Sequence, residues 1–513
     1  MHYESIPIPE SHPRHLASLG RLFEIASADP QRCRVLELGC ATGGNIIPLA
    51  WHHPQSRFLG VDLSAAQIDA GRALLERLRL DNIELRQGDI LELDERLGRF
   101  DYIVVHGVYS WVPQPVRAHL LELAPRLLAP AGLLYLSYNT LPGWRTRSVL
   151  RDFLCYACRD ASGSEQQLTQ AYAALDRLEA SLGGLEALSA RSLRAEIAIL
   201  RKAHPSYLLY EHLGEENTAF MFSDFLAEAE RNGLAYLCDS ELATMFPATY
   251  GDACERALGQ LATDLEVEQW LDFVSNRGMR RSLLCRNDAS YSTDLSLDNF
   301  ADLAFTSLLL PPAKIDWREN RRAIFRQADG APVEVSHPLS KAMLLEMIAS
   351  QPDLRTLPEL LPAAQRRLEQ VGAGRHAEGY QACLMELFSL FAHRALEASP
   401  RARSFPRPSL ERPRVSVLTR AQLEVGSTTL ATALHGALDL DTLALALLQR
   451  LDGERDVAAL CRSLAAALRN GTLEPPAQLR SKKGRGGGEV DRLERSVRAL
   501  LADFVRHGLL AGA

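Results

Sequence analysis

What this 513-residue chain most plainly lacks is a long apolar run. No stretch approaches the ~18 uninterrupted hydrophobic residues that span a bilayer, so stable membrane insertion is not expected. An excess of basic charge is missing too. With 57 Lys and Arg against 64 Asp and Glu, the net charge is −7, which argues against a chain that coats nucleic acid. The opening MHYESIPIPESHPRH has neither the basic region nor the apolar core of a secretory signal. Cysteine is sparse and odd in number, nine residues in all, which suits a reducing cytoplasm better than a disulfide framework. What is present is an ordinary globular composition, 47% hydrophobic and 24% charged. At ~150 residues per domain it has room for three or four domains.

The first part of the chain alternates strand and helix. Arg34-Val35-Leu36-Glu37-Leu38 reads as a buried strand running into Gly39, Gly43 and Gly44, with a helix opening near Asn45. RFLGVD (57–62) is the next strand, and Ser64 with Gln67 forms a capping box for AAQIDAGRALLERL. Further strands fall at 83–89, 100–107 and 133–139. This rhythm predicts an α/β fold with a parallel, doubly wound, Rossmann-like sheet. The N-terminal part of that domain is assigned to 1–145. Residues 146–216 read as a helical insertion, regulatory or dimerising. The strand-like pieces LAYLCD (234–239) and RRSLLCR (280–286) within 217–290 complete the sheet. Residues 291–400 and 401–513 read as two mostly helical, winged-helix-like domains. The Pro- and Arg-rich run 401–414 is a linker between them, and RSKKGRGGG (480–488) a flexible basic loop.

The chemistry concentrates in the first strands. Between strand and helix, the glycines of Glu37-Leu38-Gly39-Cys40-Ala41-Thr42-Gly43-Gly44-Asn45 permit a tight turn and close backbone approach to a ligand. The helix start offers free N–H groups to an anion. Such a turn also occurs in nicotinamide-binding folds. Two acids narrow the reading: Asp62 ends the second strand, where a carboxylate can chelate ribose hydroxyls, and Asp89 ends the third, where it can accept from an adenine amino group or serve a structural role.

Together, this ExGxxxGG turn, the second-strand Asp and the Gly88-Asp89-Ile90 step resemble the class I S-adenosylmethionine-dependent methyltransferases. Outside the core, YESIPIPESHP (3–13), HGVYSWVP (106–113), SYNTLPGW (137–144) and residues 207–237 are similar to members with a regulatory domain. Bacterial lysine methyltransferases acting on outer-membrane proteins are among them. The resemblance implies S-adenosylmethionine as cofactor. It places Gly39, Cys40 and Gly43 at its methionine end, Asp62 on the ribose and Asp89 near the adenine. Glu37, Thr42, Asn45, Leu63, Ile90 and His106 complete the implied cofactor set. The turn departs from the usual GxGxG by carrying Ala41.

Ligands of an open α/β sheet sit outside the carboxyl ends of its strands, which makes His106–Trp111 the acceptor rim. It holds neither the Asn/Asp-Pro-Pro-aromatic run of adenine methylation nor a Pro-Cys nucleophile. Tyr109, Trp111, Tyr138 and Trp144 are expected to wall a dry acceptor pocket, with Asn139 holding an amine; the competing reading makes some of them core aromatics. Tyr3 and the His12-Pro13 pair are expected as a lid. Cys155-x-x-Cys158 has no second ligand pair, and no metal site is expected. His52-His53 reads as a helix end, capping or at the surface, and Glu211 and His212 are expected as structural, with reach to the active site the alternative. The expected activity is methylation of protein lysine side chains. A small-molecule or carrier-bound acceptor, or a cofactor-sensing binding protein, is the alternative. The expected partner is an acceptor protein rather than nucleic acid, with a possible homodimer.

Overall fold

A computed structural model describes residues 5–373, 379–474 and 489–512. Tyr3 and the basic run 480–488 lie outside these described residues. The N-terminal half is built on strands β1 (Arg34–Leu38), β2 (Arg57–Asp62), β3 (Ile83–Gln87), β4 (Phe100–Val105), β5 (Leu128–Asn139), β6 (Leu234–Asp239) and β7 (Met279–Arg286). They form one sheet in the order β3-β2-β1-β4-β5-β7-β6. Both LAYLCD and RRSLLCR therefore join the sheet of VLEL. The sheet is mixed rather than wholly parallel, because β7 runs antiparallel to both β5 and β6.

Central strands of such a sheet are apolar on both faces because helices cover each side. Alternate residues accordingly feed two cores: Val35, Tyr102 and Val104 face one, Leu36, Leu38, Ile103 and Val105 the other. The first core also takes in helix α1 (Pro13–Leu22) and the helices 338–350, 357–370 and 380–392. Residues 291–400 are thus fused to the sheet through one continuous apolar interior. The inserted helices Gly143–Ala157, Ser164–Ser181 and Leu188–Lys202 pack around a small core of their own, with Leu154, Leu175 and Ile197 at its centre. A third unit follows the linker: helices 417–424, 442–448, 457–469 and 489–506 with a two-stranded wing, 429–431 against 437–439. No described helix is long and apolar enough to cross a membrane.

His52 ends the helix 46–52 and His53 caps it, so the capping reading holds, while the surface reading fails for His53. His53 is buried because Arg403 of the linker folds back over it, its Nη2 donating to the His52 carbonyl at 2.8 Å.

Candidate active site

The glycine turn leaves β1 with Gly39 at φ +75° and Gly43 at φ +80°, backbone conformations that L side chains rarely adopt. Ala41 shares the left-handed region at φ +49°, so the departure from GxGxG costs strain, which Asp62 helps to hold. Its Oδ2 accepts from Ala41 N at 2.8 Å and its Oδ1 from Ser64 N at 2.9 Å. The carboxylate is oriented before any ligand arrives. Asp89 is fixed similarly, its Oδ1 accepting from Leu91 N at 2.9 Å.

These elements open onto a cleft of about 630 Å³ at the carboxyl ends of the strands. Gly39, Asp62, Leu63, Asp89, Ile90, His106 and Trp111 all line it. His106 shares a hydrogen bond between its Nδ1 and the Tyr135 hydroxyl at 2.9 Å. Burial, assisted by Arg281, lowers its pKa to about 3, so the ring is neutral at ordinary pH.

The other expected cofactor residues, Glu37, Cys40, Thr42, Gly43 and Asn45, do not line the cleft. Cys40 is buried in the first core, where its sulfur fills the space beside Gly60. The Thr42 carbonyl abuts Gly71 of the helix Ala65–Leu78, a contact that any Cβ there would break. Gly43 rests on Ile47. Glu37 and Asn45 are both buried and bonded to each other, Asn45 Nδ2 donating to Glu37 Oε1 at 3.0 Å. Burial, with the nearby Asp62 charge, pushes the Glu37 carboxyl up to about 8, and its Oε2 has no protein partner.

The acceptor residues divide in the same way. Trp111 lines the cleft, with Trp144 edge-to-face behind it at 5.7 Å. Tyr109 and Tyr138 do not wall a pocket: both are buried in the second core. Tyr138 stacks on Phe225 at 4.0 Å and shares a hydrogen bond with Ser282 Oγ at 3.2 Å. Tyr109 reaches Glu228 with its hydroxyl at 3.3 Å. The period-two alternation of β5 explains Tyr138, which falls on the face that helix 222–231 covers. Asn139 is buried beside the rim, its Nδ2 donating to Asn217 Oδ1 at 3.3 Å. His12 is no lid either. It caps α1, Nδ1 accepting from Arg14 N at 2.8 Å, and packs edge-on against His53 and His435.

Sequence reasoning missed part of the cleft wall. Gln67 enters the sequence pattern as half of a capping box. Ser64 Oγ does accept from Gln67 N, but the Gln67 side chain lines the cleft and its buried Oε1 has no protein partner. Another part of the wall comes from Tyr210, Glu211, Glu215 and Glu216, far along the chain. Glu211, expected either as structural or as reaching the active site, lines the cleft; only the chain path discloses the rest of this wall. Among the described residues no group of three or more His, Cys, Asp or Glu side chains is arranged to hold a metal.

Comparison with known proteins bears directly on this geometry. A family model described as a methyltransferase domain matches residues 35–132, and one for a predicted methyltransferase regulatory domain matches 204–286. A third, the PKMT C-terminal winged helix domain, matches 411–509. The uncharacterized Rickettsia prowazekii protein RP028 is 36% identical over 234 residues, covering 45% of this chain and 94% of that protein. The chain belongs to the S-adenosylmethionine-dependent methyltransferases with a regulatory domain. A second uncharacterized protein of that organism, RP789, is 37% identical over 297 residues, 58% of this chain and 54% of its own length. The likeness to the solved structure of PKMT2 from Rickettsia typhi in complex with AdoHcy runs through 99% of this chain and 100% of that one, with a TM-score of 0.85 at 28% identity. S-adenosylmethionine is therefore the cofactor of this methyltransferase. The cleft fits it, with two oriented carboxylates, a buried Gln67 amide oxygen without a protein partner and a turn with no side chain at Gly39.

Proposed function

We propose that this methyltransferase transfers methyl groups to lysine side chains of an acceptor protein. One observation carries the reading: the cleft beside the cofactor residues is lined by Trp111 together with three acidic residues, Glu211, Glu215 and Glu216. Carboxylates at the mouth draw in an ammonium, and an aromatic face holds it before transfer. The whole-chain likeness to PKMT2 supports the same acceptor class, PKMT abbreviating protein lysine methyltransferase.

Asp62 would hold the ribose hydroxyls, Asp89 the adenine amino group, and Gly39 with Ala41 would leave room for the methionine end. The cofactor supplies the methyl group on a sulfonium, which departs as a neutral thioether. The protein's tasks are then to deliver a neutral amine and align it. Trp111, backed by Trp144, excludes water and favours the uncharged amine. Neutral His106 offers a hydrogen-bonding edge without adding positive charge. Little acid–base chemistry is needed beyond loss of the amine proton to solvent or a rim carboxylate, so alignment supplies most of the acceleration.

The test is incubation of the full chain with methyl-labelled cofactor and fractionated cell protein, nucleic acid and small molecules, followed by mass spectrometry. Methyl groups on lysine Nζ are expected, with none on nucleic acid. Methylation only of oxygen or only of small molecules would overturn the lysine reading, and cofactor binding without transfer would favour a sensor. We also propose a homodimer through the inserted helices, which expose Val149, Tyr156, Leu188 and Ile199. Light scattering of the wild type and of Tyr156→Glu checks it; a wild-type monomer would sink it.

A further inference from the structure

The C-terminal winged-helix-like unit reaches the glycine turn through one side chain. His435 sits between the two wing strands at φ +67°, in the left-handed region where histidine is among the better tolerated residues. Its ring is buried, with Nε2 lying 2.7 Å from Asn45 Oδ1. The same oxygen accepts from Ile8 N at 2.8 Å. A backbone N–H can only donate, so this atom is the amide oxygen, and His435 Nε2 must carry the proton.

Asn45 passes the connection on in two directions. Its Nδ2 donates to Glu37 Oε1 at 3.0 Å and to Ser11 Oγ at 3.1 Å. One amide thus ties the first residue of the glycine turn to its last. It also ties both to the segment 5–11, which crosses the turn. Gly44 N donates to Ser5 Oγ at 2.8 Å, and the Ser5 carbonyl occupies the space that a Cβ on Gly44 would need. Beyond the segment, Arg14 Nη2 donates to the carbonyl of Leu434, the residue before His435, at 3.2 Å. Burial keeps the His435 ring neutral, as does the Arg14 charge.

We infer that His435 is a positioning residue for the cofactor site, holding the Glu37–Asn45 turn and the 5–11 segment in the geometry that lets Gly39 and Ala41 line the cleft. The inference rests on S-adenosylmethionine as cofactor and is independent of the acceptor. It assigns the C-terminal unit a role in the reaction: its docking completes the support of a turn some 390 residues away in sequence.

The test uses the full chain with AdoHcy as probe. In titration calorimetry His435→Ala should bind it about five- to twentyfold more weakly. Hydrogen exchange should show the backbone amide of Ile8 at least about fivefold faster, and His435→Gln, which keeps an N–H donor of similar reach, should restore both. If the alanine variant fails to fold, His435→Met against His435→Gln decides the matter, since the two are similar in length and only Gln donates. Equal affinity and equal exchange in the donor and non-donor variants would overturn this inference alone. Failure of the wild type itself to bind AdoHcy would overturn the cofactor assignment beneath it as well.

Discussion

Asp62 shows what a single carboxylate does at this site. Two backbone donors, Ala41 N and Ser64 N, hold it, so it meets a diol already aligned. Hydrogen bonds to a charged group are worth about 1.5–3 kcal/mol each. Asp62→Ala should therefore weaken AdoHcy binding by at least about tenfold in calorimetry, and undiminished affinity would remove the ribose assignment. The aromatics separate by burial. Trp111 lines the cleft, whereas Tyr138 is 2% exposed and stacked on Phe225. Trp111→Ala should lower turnover about tenfold or more at near-normal stability. Tyr138→Ala should cost about 3–5 kcal/mol of stability, the loss typical of a buried aromatic. Urea unfolding beside steady-state rates tests the pair, and the reverse pattern would return Tyr138 to the pocket. Motif residues such as Asp62 and Asp89 were legible in the sequence because of their place at strand ends, Asp62 as the last residue of β2 and Asp89 two residues past β3. The faces of Tyr109 and Tyr138 were not, since an aromatic beside a cleft and one beneath it read alike.

At the scale of elements, the two antiparallel pairings of β7 rest on a buried ionic group. Arg280 is wholly buried, with Nε donating to both Asp272 carboxylate oxygens at 3.1 and 3.0 Å and Nη1 to Glu268 Oε2 at 2.8 Å. Its guanidinium also lies 3.6 Å from the Phe222 ring centroid. One side chain joins β7 to helices 264–275 and 222–231. Removing one member of such a group leaves the other charges buried and uncompensated, at a cost of about 3–5 kcal/mol. Arg280→Ala should show that loss in urea unfolding. A change under about 1 kcal/mol would mean that β7 is held by backbone pairing and apolar contacts. The strands LAYLCD and RRSLLCR were readable as strands, but not the direction of the second. Strand polarity is set by where the intervening chain returns, and residues 240–278 return β7 between its neighbours.

Across the whole molecule, histidines collect where the parts meet. His12, His53 and His435 form one cluster between the N-terminal segment, the sheet domain and the C-terminal unit. Burial lowers the pKa of each, to about 3 for His435, and nearby arginines add to the effect. A histidine whose folded pKa lies below the unfolded ~6.5 binds its proton only on unfolding as pH falls. Its contribution to stability is complete above ~6.5 and shrinks below it, by up to about 1.4 kcal/mol per pH unit for each ring. The urea midpoint should therefore fall clearly between pH 7 and pH 5. An unchanged midpoint would mean that these rings accept protons in the folded state.

The sequence by itself determined the local features: strands by their apolar runs, the cofactor turn by its glycines, the acids by their place after strands, and the family by motifs spread from Tyr3 to Leu237. Each is written within a few residues of itself. Only the tertiary structure decided which side of a strand faces the cleft, that Glu211 and Gln67 share its walls, and that His435 supports the turn at Asn45. Those relations join residues tens to hundreds of positions apart. They exist only once burial of the shared apolar interior has brought the segments together.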